Sequence, residues 1–360
     1  MQKTDLIMNR RHFIHNASLA LSGVVLGSCN IPGASSAKKK NSNAVSEKAK
    51  NAMLAMQRAS WEQGVAIQAM IECADCDMLR LLVNEALVRQ NSDGRTCMLG
   101  SGNNVTDPVA AGYGILKCHE LFGDERYKQA ADRLYNYCKN IAPRNEAGAV
   151  YHLNNHREIW SDSIYMLPPF LAAYGDYDEC MKQIRGYRTC LWNADKKLFS
   201  HRWSDDENGF INAHCWGGGN GWAAASFAII HELLPADRKE YKAEIATCLA
   251  ELLEGLQANI LPDGLFNDFV GEPDSFVETN LSQMAAFAIF KSVKTGAIDA
   301  ELLKFARKMK AGALAKVDEY GYVQGAAGSP SFNSQGTSAE AQAFLLMMLA
   351  AEEKLNLQKL

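Results

Sequence analysis

The sequence predicts an all-α fold, an (α/α)6 barrel of helical hairpins with long loops on one rim, and three observations carry that prediction. Apolar residues recur at helical spacing in eleven segments, at about 48–74, 75–90, 107–122, 124–141, 160–174, 177–192, 221–234, 237–258, 280–294, 298–316 and 338–352. The joints between segments alternate in length. The long joints also resemble one another.

Short joints come first. Gly123-Asp124, Gly175-Asp176, Pro235-Ala236-Asp237 and Thr295-Gly296-Ala297 are tight turns, which set consecutive helices antiparallel. The other joints span 91–106, 142–159, 193–220, 259–279 and 317–337. Structureless loops of that length are uncommon unless they carry function. A helix pair therefore repeats every 50 to 60 residues or so, a spacing typical of repeat architectures. Closure of the pairs into a ring gathers every long joint at one rim. Eleven segments leave a twelfth helix unplaced, and an open superhelix of pairs is the alternative.

The long joints share a pattern. SDGRTCM, NEAGAVYH, NADKKLFSH, LPDGLFND and DEYGYVQG each place a turn signal before an apolar pair and a polar residue, which is hairpin chemistry. In this register His152, His201 and Asp268 are equivalent. The following helices open alike, at Ser60-Trp61-Glu62, Thr106-Asp107-Pro108, Ser161-Asp162-Ser163, Asn220-Gly221-Trp222, Thr279-Asn280 and Thr337-Ser338.

Residues 1–28 read as an export signal: Arg10-Arg11 before a short apolar run resembles a twin-arginine signal. Leu26-Gly27-Ser28-Cys29 resembles a lipobox, with Cys29 as the lipidated residue of an exported, periplasmic lipoprotein of a bacterial envelope. Small polar and basic residues at 29–46 read as a flexible tether, and 47–360 as one catalytic domain. No body segment is apolar enough to span a bilayer, so Cys29 is the only membrane contact expected. The net charge of -4 argues against nucleic acid as a partner. Cys73-Ala-Asp-Cys76 has CxxC spacing without a second pair, and no histidine spacing fits a metal site. No metal or cofactor is expected.

Scaffold-borne loops are where function concentrates. This rim collects Trp61, Asp107, His152, Trp160, Asp162, Tyr165, His201, Trp203, Trp216, Asn220 and Trp222, five of the chain's 6 Trp among them. Flat indole faces beside carboxylates and imidazoles suit a sugar ring, which has an apolar face and a polar perimeter. Each residue also has a plainer reading. Asp107 before Pro108, and Asp162 before Ser163, fit helix caps; the histidines can bond loop backbone, and the tryptophans can pack the barrel mouth.

At Ile159-Trp160-Ser161-Asp162-Ser163-Ile164-Tyr165-Met166, at Trp216-Gly-Gly-Gly-Asn-Gly-Trp222 and at Thr106-Asp107 the sequence resembles the unsaturated glucuronyl and rhamnogalacturonyl hydrolases, glycoside hydrolase families 88 and 105. The likeness runs from about Trp61 to the last helix. It implies an (α/α)6 barrel and an unsaturated oligosaccharide substrate left by polysaccharide lyases. It also implies hydration of the C4=C5 double bond of the terminal uronic acid. Asp162 matches the family's general acid/base and Asp107 a second carboxylate that positions substrate. Trp61, His201, Trp216 and Trp222 match site-lining positions, His152 more weakly; Trp160 and Asn220 complete the expected substrate-binding set. Some relatives carry arginine where this chain has Gly218, so a uronate here needs other donors, such as His152, His201, Arg157, Arg202 or loop amides. A glycan-binding lipoprotein without catalysis, or another (α/α)-barrel glycosidase or epimerase, are the competing readings.

Overall fold

A computed structural model describes residues 34–98, 102–328 and 331–358, with side chains from residue 44 onward. The expected export signal and Cys29 lie outside the described residues. Helix α1, Ala34–Met56, begins inside the stretch read as a tether. Residues 42–360 form one compact unit.

Twelve helical positions make the barrel. The inner ring runs α2 (Ser60–Glu72), α4 (Gly112–Phe122), α7 (Pro168–Tyr174), α9 (Gly217–Leu233), α11 (Asn280–Thr295) and α13 (Ala339–Leu357). Each packs on the next, and α13 packs back on α2, so the ring is closed. The outer layer is α1, α3 (Cys76–Val88), α5 (Glu125–Asn136), α8 (Tyr177–Leu191), α10 (Lys239–Gln257) and α12 (Leu303–Leu314). The missing twelfth helix was inside segment 48–74. That stretch is two helices, the outer α1 and the inner α2, joined by Gln57-Arg58-Ala59 with no glycine or proline to mark the turn.

Burial follows the layers. Inner helices such as α9 and α13 are buried on nearly every face, from Ala223 to Ile230 and from Ala339 to Met348, whereas α5 buries only Tyr127, Ala130, Ala131 and Leu134. Helices apolar all round belong inside; amphipathic ones lie at the surface. The third inner position is broken into a short α6 (Ser163–Met166) and α7, because Pro168 cannot continue the backbone ladder.

The repeated hairpins are real. Their turn residues Gly94, Gly148, Lys197, Gly264 and Gly321 all have positive φ, four of them glycines for which that conformation is free of Cβ strain. Those at Gly148, Lys197 and Gly321 close with a short return strand or bridge: Arg144–Val150, β2 (Trp192–Asn193) with β3 (Leu198–Phe199), and Val317–Val323. A further sheet joins β1 (Glu158–Trp160), β4 (Arg202–Ser204) and β5 (Gly209–Asn212), and β6 (Phe266–Asn267) pairs β7 (Val277–Glu278).

The two barrel ends differ. At the C-terminal ends of the inner helices, Lys291 Nζ donates to Glu72 Oε1 at 2.9 Å and also pairs with Glu232. Lys354 Nζ reaches Glu72 Oε2 at 3.2 Å. This network plugs the base. The N-terminal ends, where the hairpins return, open into a cleft.

Candidate active site

The cleft holds about 700 Å³ and its walls follow the order of the inner ring. Trp61 comes from α2, Asp107 from the turn before α4, Asp162 from the turn before α6, Trp216 and Trp222 from α9, and Glu340 from the first turn of α13. The hairpins add His152, His201 and Asp268, the three residues that the repeat register made equivalent, and all three line the cleft.

Neither aspartate is a helix cap. Asp107 makes no cap bond; its Oδ2 accepts from Asn104 Nδ2 at 2.7 Å. Asp162 stands at the cap position of α6 without a side-chain cap bond, and its buried Oδ1 has no hydrogen-bond partner. His152 lies between them, with Nε2 3.8 Å from Asp107 Oδ1 and Nδ1 3.6 Å from Asp162 Oδ1. Its Nδ1 also meets the hydroxyls of Thr106 at 2.9 Å and Ser163 at 3.0 Å. Trp160 stacks on the imidazole, centroids 4.2 Å apart and planes 12° apart, which fixes the ring. Burial pushes the Asp107 carboxyl up to about 6; His152 opposes that rise and Asp162 adds to it. Burial likewise pushes His201 down to about 4, so this imidazole is neutral at neutral pH. Its Nδ1 is 3.3 Å from Ser161 Oγ, and its ring meets Trp216 at 4.7 Å.

The glycine run has a different job from the one its sequence suggests. It is the first turn of α9, which starts at Gly217, and it touches protein, not open cleft. A Cβ on Gly218 would stand 2.7 Å from Cε2 and Cη2 of Trp216. A Cβ on Gly219 would stand 2.8 Å from Ser161 Cβ and overlap its hydroxyl. Gly218 thus lets the Trp216 indole fold back over the helix, where Nε1 donates to Asp268 Oδ1 at 3.2 Å. Gly219 lets Ser161, in the turn that carries Asp162, approach.

Asn220 is a correction. It was expected to bind substrate but is fully buried, and its amide is spent on backbone. Oδ1 accepts from Phe199 N–H at 2.8 Å, while Nδ2 donates to the carbonyls of Phe199 and Trp216, each at 2.9 Å. It ties the returning hairpin strand to α9. Arg157 and Arg202 are not cleft donors either. Arg202 lies 4.1 Å over the Trp160 ring and donates to Glu158 at 2.7 Å, and Arg157 pairs with Tyr151 and Asp206. The remaining expected residues, Trp61, Asp107, His152, Trp160, Asp162, His201, Trp216 and Trp222, converge on the cleft.

Sequence reasoning passed over several lining residues, Asp268, Glu340 and Phe332 among them. Asp268 was visible in the hairpin register beside the two histidines. Glu340 looked like an ordinary acid in a helix first turn, where the dipole favours one. Phe332, whose ring lies 6.2 Å from both Trp61 and Trp216, carried no signal beyond being an aromatic in a long loop.

Comparison with known proteins places the chain in a family and shows which solved structures share its fold. The model of Glycosyl Hydrolase Family 88 matches residues 35–356. The chain belongs to this family. Among curated relatives, it is 26% identical over 283 residues to the unsaturated rhamnogalacturonyl hydrolase YesR of Bacillus subtilis, covering 73% of this chain and 77% of that protein. It is 25% identical over 231 residues to the unsaturated 3S-rhamnoglycuronyl hydrolase of Formosa agariphila, covering 56% and 58%. The fold is shared with the crystal structure of a possible member of the GH105 family from Salmonella enterica, at a TM-score of 0.77 and 17% identity over 89% of this chain and 95% of that one. Within the family 88 fold, the closed ring and the rim of hairpins are what bring the cleft residues together.

Proposed function

We propose that this family 88 protein removes the terminal 4,5-unsaturated uronyl residue from lyase-generated oligosaccharides by hydrating its C4=C5 double bond. The observation that carries this reading is the Asp162 carboxylate oxygen, buried, unpartnered and facing a tryptophan-walled cleft beside a second buried aspartate.

Asp162 in its acid form gives its proton to C4, and the π electrons of C4=C5 make that bond. Positive charge at C5 is shared with the ring oxygen. Water adds at C5 and loses a proton to the Asp162 carboxylate, which restores the acid. The resulting hemiketal opens to a C5 ketone as the bond from C5 to the ring oxygen breaks. The freed C1 hemiacetal then expels the aglycone alcohol, so one water is consumed for each glycosidic bond cleaved. General acid–base catalysis of this kind needs a carboxyl that alternates between states near the working pH. Asp107, pushed up to about 6, holds a proton close by, and the His152 imidazole lies between the two aspartates. Trp216 and Trp222 give the ring apolar faces to lie against.

The test follows the ultraviolet absorbance of the double bond during incubation with lyase products from several uronate polysaccharides. Wild type bleaches it and Asp162→Asn does not; equal bleaching by both removes Asp162 from the role. We also propose that residues 1–28 direct export and that Cys29 is acylated, placing the enzyme on the cell envelope. Labelling with a fatty acid in a bacterial host tests this: incorporation equal in wild type and Cys29→Ser would overturn it.

A further inference from the structure

A uronyl substrate brings a carboxylate into a cleft that already holds five carboxyls, those of Asp107, Asp162, Asp268, Asp274 and Glu340. Among the described lining residues there is no arginine or lysine to meet it. At Gly218 the Trp216 indole fills the space that a side chain would take. The compensation must come from the other polar groups of the cleft.

Asp268 and Glu340 stand on the wall across the ring from Asp107 and Asp162. Glu340 lines the cleft and is 3% exposed, and its buried Oε2 has no hydrogen-bond partner. Asp268, also 3% exposed, is held by the Trp216 N–H. Behind both lies Glu278, which already accepts from the backbone N–H groups of Asn280 and Leu281 at 2.8 Å each. Glu62 on α2 also faces Glu340. Arg58 offsets the charge of Glu62, but no arginine or lysine stands beside Asp268 or Glu340 among the described lining residues, so these acids cannot all ionise.

We propose that Asp268 and Glu340 form the subsite for the uronyl carboxylate, each held as a carboxylic acid that donates its O–H to it. The inference rests on the function proposed above. The two walls are one indole apart: Trp216 meets His201 on the Asp162 side and Asp268 on the other. A ring with C4 at Asp162 therefore carries its carboxylate along Trp216 toward Asp268, away from Asp107. Burial, with Glu278 adding, pushes Asp268 up to about 7; burial, with Glu62 and Glu278 adding, pushes Glu340 up to about 8. A buried carboxylic acid kept neutral so that it can donate is a known device of enzyme sites. Both acids are protonated at mildly acidic pH and lose the donated proton as pH rises through these values.

The test is equilibrium binding by tryptophan fluorescence on the Asp162→Asn protein, which holds substrate without turning it over. The probes are an unsaturated uronyl disaccharide and its C6 methyl ester, each from pH 6 to pH 9. The other groups facing the ligand, Asp107, His152, His201 and Asp274, act on both probes, and the difference between probes isolates the carboxylate. The free acid is expected to bind at least tenfold more weakly at pH 9 than at pH 6, the ester to change less than about twofold. Adding Asp268→Asn and Glu340→Gln, whose amides still donate, flattens the dependence of the free acid. Parallel loss of affinity by acid and ester overturns the proposal, as does a dependence that survives both substitutions. Wild type that bleaches lyase products but shows either of those patterns sinks this subsite alone. Failure to bleach any lyase product sinks the hydration chemistry, and the binding comparison is still read.

Discussion

The base and the mouth of the barrel solve the same physical problem in opposite ways. Both bury carboxyls among the ends of the inner helices. At the base, Glu72 is met by Lys291 and Lys354; burial pushes its carboxyl up, but the two lysines outweigh it and hold it below the usual range. At the mouth, Asp107, Asp268 and Glu340 have no lysine or arginine beside them among the described lining residues, and burial carries all three above that range. A buried charge without a partner costs several kcal/mol unless the group takes up a proton. The base is therefore a finished structural joint. The mouth keeps its acids protonated or unpaired, which is the state in which they can act on a ligand.

The largest effect expected from this contrast is kinetic. Asp162→Asn removes the transferable proton but leaves shape and hydrogen-bonding capacity, so kcat should fall about 10³-fold while the melting temperature moves little. A fall of less than tenfold would place the acid elsewhere in the cleft. Next is Glu72→Gln, which leaves Lys291 buried beside only Glu232. Breaking a buried pair by removing one partner costs about 3–5 kcal/mol, read as a lower urea midpoint, with KM unchanged. Because the Glu72 carboxyl is held down in the folded state, its contribution is present at neutral pH and is lost as pH falls below the ordinary glutamate range. Wild type and Glu72→Gln should thus converge in stability toward acid pH; a constant gap across pH would contradict the pairing.

Glu340→Gln should do the reverse. Its carboxyl is raised, so the folded protein binds a proton that the unfolded chain releases near pH 4.5, and wild-type stability declines from there up to about pH 8. The glutamine variant lacks that decline. At pH 8.5 it should be more stable than wild type by an amount on the order of a few kcal/mol, with the advantage shrinking toward pH 5. Equal stability at both pH values would mean that Glu340 is ionised and solvated in the free protein.

What the sequence made legible follows from what repeats. The hairpin register was readable because one backbone conformation, a turn residue at positive φ, recurs five times and four of its residues are glycine. That register put His152, His201 and Asp268 on one rim before any coordinates. Helix α1 was lost inside α2's segment because periodicity does not see a turn made of Gln57, Arg58 and Ala59. Glu340 is hidden in the sequence because Glu62 and Glu278, the acids that face it, stand far from it along the chain. Asn220 was misread for the same reason. Nothing near position 220 reveals that the Phe199 backbone, 21 residues away, takes up its amide.

Two adjacent glycines allow the two walls of the mouth to be disturbed separately, by one methyl group each. In Gly218→Ala the new Cβ meets the Trp216 indole, which has to swing and release Asp268. Overpacking of this kind costs about 1–3 kcal/mol. Because Asp162 is untouched, the kinetic effect should be a KM raised several-fold at nearly constant kcat. In Gly219→Ala the Cβ meets Ser161, and rotation of its hydroxyl does not relieve the contact because Ser161 Cβ is itself 2.8 Å away. The shift passes along one peptide to Asp162, so here kcat should fall, with the smaller change in KM. Misplacing a reacting group by a fraction of an ångström is enough for a measurable loss of rate. The same kinetic signature in both variants would mean that α9 moves as a unit and that the carboxylate wall and the acid wall are not independent.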